Sequence, residues 1–168
     1  MRLPTALLLT LSLLMVPAVA QTAPPPVSRV QLAVLLWESA GGVPCDANGP
    51  FSDVARDDDG ATAVAWCFEA GLLLGTGDGC FSPRLPVTRE ELATVLRRYA
   101  ALLGRDVFLP DGVAACNEYE DISPWADDSL YWACDTGALS WSSSGRLDPY
   151  GTLSLPQLQA VLDAFLTP

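Results

Sequence analysis

A shift of 66 residues lays one part of this chain over another without a gap, and that register restricts the fold more than any other feature. Trp66 falls on Trp132, Gly71 on Gly137, Gly79 on Gly145, Pro83 on Pro149, Leu92 on Leu158 and Leu96 on Leu162, with Phe81 answered by Leu147. Upstream, Phe51-Ser52-Asp53-Val54 recurs as Tyr119-Glu120-Asp121-Ile122 at a slightly different spacing. A shift of 60 then places Val27-Ser28-Arg29 on Val87-Thr88-Arg89, and Leu32, Leu35 and Leu36 on Leu92, Val95 and Leu96. The chain therefore holds two full units and the trailing half of another.

Each unit reads as helix, loop, helix. Leu92, Val95, Leu96 and Tyr99 in the middle unit, and Leu158, Val161, Leu162 and Phe165 in the last, recur at i, i+3, i+4 and i+7, the spacing of one apolar stripe on a helix. A shorter first helix carries Val64, Cys67 and Phe68, answered by Leu130, Ala133 and Cys134, and stops at Gly71 or Gly137, where a left-handed residue is expected just past the helix. Second helices open on capping boxes: Ser28-x-x-Gln31, Thr88-x-x-Glu91 and Ser154-x-x-Gln157. The fold class expected is mainly α, helix-loop-helix units packed on a shared core with short loops.

The first residues have the layout of a secretory signal: basic Arg2, an apolar run from Leu7 to Val16, and Ala18-Val19-Ala20 as the cleavage end. The run is too short to span a bilayer. Expected boundaries are a signal at 1–20, a proline-rich leader at 21–26, the half unit at 27–42, a complete unit at 51–104 and a degenerate one at 119–166, the units forming one compact domain. Half of the residues are hydrophobic and 17% charged, enough apolar content for a core.

The formal charge is −11, and the basic residues make no cluster beyond Arg97-Arg98, so nucleic acid and anionic membrane are poor partners. The chain has no histidine, which removes the commonest general base, the commonest metal ligand and every Ser-His or Cys-His pair. Acidic residues are plentiful, but no apolar setting singles out one with a raised pKa for glycoside hydrolysis. The Gly75–Gly79 loop lacks the ending of a P-loop, and Asp57-Asp58-Asp59 reads as a solvated turn rather than a calcium loop. No catalytic residue, metal ligand or cofactor is nominated.

The middle unit supplies Phe51-Ser52-Asp53-Val54, Trp66, Gly71, Gly75-Thr76-Gly77-Asp78-Gly79-Cys80-Phe81-Ser82-Pro83 and Val87-Thr88-Arg89-Glu90-Glu91 in order. Over nearly its whole length it resembles the S-layer homology repeat, whose pattern is F-x-D-V, a helix with a tryptophan and a terminal glycine, G-x-x-D-G-x-F-x-P and [IV]-T-R-x-E. The first unit keeps Val27-Ser28-Arg29-Val30-Gln31, whereas the last reads Leu153-Ser154-Leu155-Pro156-Gln157 where the arginine belongs. The resemblance implies a pseudo-three-fold helical spindle that binds cell-wall-linked, often pyruvylated polysaccharide and so retains a secreted protein at the cell surface. It also implies that an early second helix can pair with a late first helix, and that Phe81 seals the core below the glycine loop. The rival reading is a secreted, disulfide-stabilised helical domain that has lost wall binding and engages another envelope protein.

Candidate ligand residues follow from the motif. Arg29 and Arg89 stand beside helix starts, where a guanidinium either clamps a carboxylate such as a pyruvyl group or pairs with a nearby Asp. Ser28, Thr88 and Glu91 serve as helix caps or as further contacts. Trp66 and Trp132 are expected in the core, and Trp141, in a serine-rich loop, is the candidate for stacking on sugar. Five cysteines in an exported chain suggest disulfides with one thiol left over. Treating both units alike pairs Cys45 with Cys67 and Cys116 with Cys134; the rival pairs Cys67 with Cys80.

Overall fold

The computed structural model describes residues 23–109, 121–142 and 145–167. The expected signal at 1–20, Cys116 and the opening of the last unit at 119–120 lie outside them. The described residues hold five helices: α1 (Arg29–Ser39), α2 (Ala61–Glu69), α3 (Arg89–Leu102), α4 (Asp127–Asp135) and α5 (Leu155–Leu166), with isolated β-bridges and no longer strand among them. The mainly helical fold read from the sequence is the one observed.

Helices pair across the unit boundaries. α1 packs on α2 and α3 on α4, so the second helix of one unit lies against the first helix of the next. The apolar stripes explain this. Leu32, Ala33 and Leu36 of α1, Leu92, Ala93 and Leu96 of α3, and Leu158, Leu162 and Phe165 of α5 all enter one core with Val64, Cys67, Leu130 and Ala133 of the first helices. Phe68, read as part of that stripe, is partly exposed and meets the edge of Phe51 at 5.2 Å between ring centroids. Phe81 is fully buried beneath its loop.

The three segments that enter α1, α3 and α5 are extended and pair with one another. Pro26 bridges Ser154, Ser28 bridges Pro86, and Thr88 bridges Thr152. Val27 N donates to Leu153 O at 2.8 Å and Val87 N to Val27 O at 2.9 Å. Val27, Val87 and Leu153 occupy equivalent positions in the three units, and all are buried. The ring they form ties together the starts of the three second helices, so each strand-like edge has its backbone groups bonded to another unit. Pro26, the last residue of the expected proline-rich leader, is thereby tied to Ser154.

Caps follow the sequence with one exception. Ser28 N donates to Gln31 Oε1 and Ser154 N to Gln157 Oε1, both at 2.9 Å, as a capping box requires. Thr88 Oγ1 accepts from Glu91 N at 3.3 Å, but the Glu91 carboxylate is drawn away to an ion pair with Arg29. Gly71 and Gly137 end the first helices at φ of 71° and 75°, a conformation that costs other L residues energy.

Candidate functional site

Arg29 and Arg89 perform the same task one unit apart. Arg29 Nε donates to Phe81 O at 2.7 Å and its Nη2 to Leu74 O at 2.5 Å, while Nη1 pairs with Glu91. Arg89 Nε donates to Leu147 O at 2.9 Å and its Nη2 to Ser140 O at 2.7 Å. Leu74 and Phe81 fall on Ser140 and Leu147 under the 66-residue shift, so each guanidinium clamps both ends of the glycine loop belonging to the following unit. Both arginines are buried, and burial lowers the Arg29 pKa to about 10, with the Asp53 charge opposing that shift.

Asp53, from the F-x-D-V opening, holds the same loop from its other side. Its carboxylate accepts from Phe81 N at 2.7 Å and Ser82 N at 2.8 Å. The hydrogen bond from Phe81 N is the largest of the causes that hold its pKa below the usual carboxylate value. These donors and acceptors around Phe81 fix the loop between α2 and α3, and with it one wall of a cleft.

That cleft, about 520 Å³, lies between the turn after α2 and the outer face of α3. Leu72, Leu74 and Thr76 form one side, Thr88, Thr94 and Arg98 the other, and Trp125 closes an end. Glu90 and Glu91 also line it, but both are already held: Glu90 accepts from Ser123 N and Oγ at 3.0 and 2.9 Å, and Glu91 pairs with Arg29. Arg98 is different. Its Nη1 donates to Leu72 O at 3.1 Å, partial burial lowers its pKa, and among the described residues no carboxylate pairs with it. Trp125 exposes 57% of its surface beside it.

The structure thus brings Arg29, Thr88 and Glu91 to the cleft wall, with Arg29 and Glu91 occupied by each other. Ser28, Arg89 and Trp141 are not on that wall; Trp141 is exposed elsewhere. Arg98 and Trp125 were not singled out from sequence as ligand residues. The available signal was that Arg98 falls on Ala164 in the last unit and Glu38 in the first, while the buried stripe beside it repeats. Trp132 is buried as expected, and Trp66 packs partly against the core.

Cys45 and Cys67, expected as a pair, are separate thiols. Cys67 Sγ is buried against Ala33 O at 3.6 Å, and Cys45 Sγ lies near the surface, 3.3 Å from Glu69 Oε2. The rival partner Cys80 is also a thiol, next to Ser52. For Cys134, the expected partner Cys116 is outside the described residues. Among the described residues no group of three or more His, Cys, Asp or Glu side chains is arranged to hold a metal ion, and no helix is long and apolar enough to cross a membrane.

Residues 50–93 match the family model described as the S-layer homology domain. Curated relatives include an endoglucanase of Bacillus sp. (strain KSM-635), 26% identical over 83% of this chain and 15% of its own length. Others are exoglucanase XynX of Acetivibrio thermocellus, 28% identical over 71% of this chain and 11% of its own, and a cell surface protein of Thermoanaerobacter kivui, 29% identical over 73% and 16%. The chain thus spans less than a fifth of the length of each of these relatives, and the glucanase names describe those proteins. S-layer homology domains attach without catalysis and are characteristic of secreted proteins held at the cell surface and wall. The stretch that contains the F-x-D-V opening, the glycine loop and the motif arginine, residues 50–93, is an S-layer homology domain.

Proposed function

We propose that the chain is a non-catalytic envelope module that retains its protein at the cell surface by binding a wall-linked polysaccharide carrying carboxylate-substituted sugars, such as pyruvylated ones. The observation that carries this reading is Arg98. A partly desolvated guanidinium with no carboxylate partner among the described residues, beside an exposed tryptophan and the Thr88 and Thr94 hydroxyls, is a receptor for an acid group on a sugar ring. The negative charge of a carboxylate ligand would offset the desolvation that lowers the Arg98 pKa. The relative named a cell surface protein is in keeping with such a role.

In this reading the motif arginines act indirectly: Arg29 and Arg89 set the loops, and Arg98 and Trp125 meet the ligand. The units at 27–42, 51–104 and 119–166 form one binding body, with the attachment cleft between the first two helix pairs. Sedimentation of the secreted protein with purified sacculi, before and after the secondary polymer is stripped, tests it. Binding that disappears with the polymer supports the proposal. Binding that survives stripping, or no binding to sacculi, favours a protein partner instead.

A further inference from the structure

Glu90 is 3% exposed, yet among the described residues no cation pairs with it. Its carboxylate accepts instead from the backbone N and the Oγ of Ser123, at 3.0 and 2.9 Å. Ser123 opens the turn Ser123-Pro124-Trp125-Ala126, which Ala126 N closes by donating to Ser123 O at 2.8 Å. Trp125, the third residue of that turn, stands at the end of the cleft whose wall carries Arg98.

The pair α1 and α2 meets the same need locally. Ala55 opens the corresponding turn before α2, closed by Asp58 N donating to Ala55 O at 3.0 Å, and there the Ala55 N–H is bonded by Asp58 Oδ2 at 2.8 Å, a carboxylate from within the turn. Before α4, Ala126 stands where Asp58 would, and the carboxylate comes from α3 as Glu90. α1 carries Val30 at the place of Glu90 and α5 carries Pro156, so the same helix start forms without an acid there. A buried carboxylate without a cation is a costly way to bond one turn. The differences also go together: in the registers that align the units, Glu90, Arg98, Ser123 and Trp125 fall on Val30, Glu38, Ala55 and Asp57.

We infer that Glu90 is a positioning residue for the cleft, tying the Trp125 turn to α3 so that the indole and the Arg98 guanidinium keep one spacing. Glu90 and Arg98 lie about two turns apart on the same helix, so whatever Glu90 holds is referenced to the rigid body that carries the cation. Ile122 and Ala126 anchor the ends of the turn segment in the core, but Pro124 and Trp125 between them are exposed. Two charge-assisted hydrogen bonds to Ser123 remove the freedom that core packing leaves there. The spacing is a property of the free protein; its consequence for binding rests on the wall-polymer reading.

The test has two arms on the secreted chain. Fluorine NMR of fluorotryptophan-labelled protein without ligand follows the Trp125 signal, assigned by its loss in Trp125→Phe. Glu90→Val, the residue α1 carries at this place, should move that signal and leave those of Trp37 and Trp66, in the other helix pair, where they are. Ser123→Ala removes only the hydroxyl contact, so it should move the Trp125 signal less, and it replaces Glu90→Val should that variant fail to fold. The second arm titrates purified, released secondary polymer in a double-mutant cycle. Glu90→Val should weaken binding at least about threefold in the wild-type background and change nothing further in Trp125→Ala, since coupled residues are not additive. A Trp125 signal that stays put in the folded variants would overturn the inference, and so would an equal loss in both backgrounds, which would mean that Glu90 acts on binding without Trp125. If the wild type binds no polymer, the envelope reading fails and the fluorine spectrum alone decides the positioning.

Discussion

Arg29 and Phe81, 52 residues apart, are joined twice: the Arg29 Nε donates to the Phe81 carbonyl at 2.7 Å, and the guanidinium lies 4.6 Å over the ring of the same residue. Arg89 repeats the carbonyl bond on Leu147, where an aliphatic side chain replaces the ring. The motif arginine therefore joins one unit to the next.

Replacing Arg29 should unfold the protein more readily before it affects any ligand. Arg29→Ala leaves Glu91 without its cation and the Phe81 and Leu74 carbonyls without their donor, and breaking a buried ion pair in this way costs about 3–5 kcal/mol. Urea denaturation should show that loss. Arg29→Lys should recover little of it, since an ammonium cannot span two carbonyls in the fixed fork of a guanidinium.

Arg89→Ala should cost about 2 kcal/mol, less than Arg29→Ala, because the described structure gives Arg89 two carbonyl acceptors and no ion pair. Leu155→Ala, at the equivalent place in the last unit, should change stability by less than about 1 kcal/mol, since that side chain is 36% exposed. The same denaturation series measures all three, and equal losses at the three positions would contradict the loop-clamp account.

Cys67 makes stability fall in alkali. Burial pushes its thiol up to about 12 from an ordinary 9.0, so the unfolded chain loses its proton first as pH rises. The stabilising contribution is fully present below pH 9 and is lost progressively between pH 9 and 12, at about 1.4 kcal/mol per pH unit. Urea midpoints of the wild type and Cys67→Ala across that range should converge. A parallel offset would mean that Cys67 does not titrate as a buried thiol, as when it is held in a disulfide.

The helices were legible because their determinants are local. Stripes such as Leu92, Val95, Leu96 and Tyr99 and caps such as Ser28 with Gln31 operate within one or two turns, and the internal repeat confirmed each by a second copy. The arginine clamp was not, because its acceptors are the backbone carbonyls of Leu74, Phe81, Ser140 and Leu147, which any residue type supplies. No side-chain identity marks them. The cleft was hidden for a related reason: Arg98 and Trp125 come from separate segments that meet only when α3 packs against α4. Trp141 drew notice through its serine-rich surroundings, yet composition alone does not place a side chain on a cleft wall.

The last unit has also lost the features that would receive a further helix. Ala33 and Ala93, buried on α1 and α3 where those helices meet α2 and α4, are replaced on α5 by exposed Gln159, and the motif arginine by Leu155. A small apolar contact and a loop clamp disappear together. Exposed Gln159 and Asp163, one turn apart, make that side of α5 polar. Gln159→Ala should leave the sedimentation coefficient of the protein unchanged, since one small side chain does not restore the missing clamp; a shift to a larger species would show that the face is still competent to pair.

The central claim is that Arg98, and not the motif arginines, meets an acid group of the wall polymer. Calorimetric titration of folded wild type and Arg98→Ala with released, purified secondary polymer tests it most directly. The account predicts at least about a tenfold loss for Arg98→Ala, the equivalent of losing a charge-assisted hydrogen bond to a carboxylate, with Arg56→Ala, on the exposed Asp46 pair, binding as wild type. Equal affinity of wild type and Arg98→Ala, or no binding by either, would contradict it.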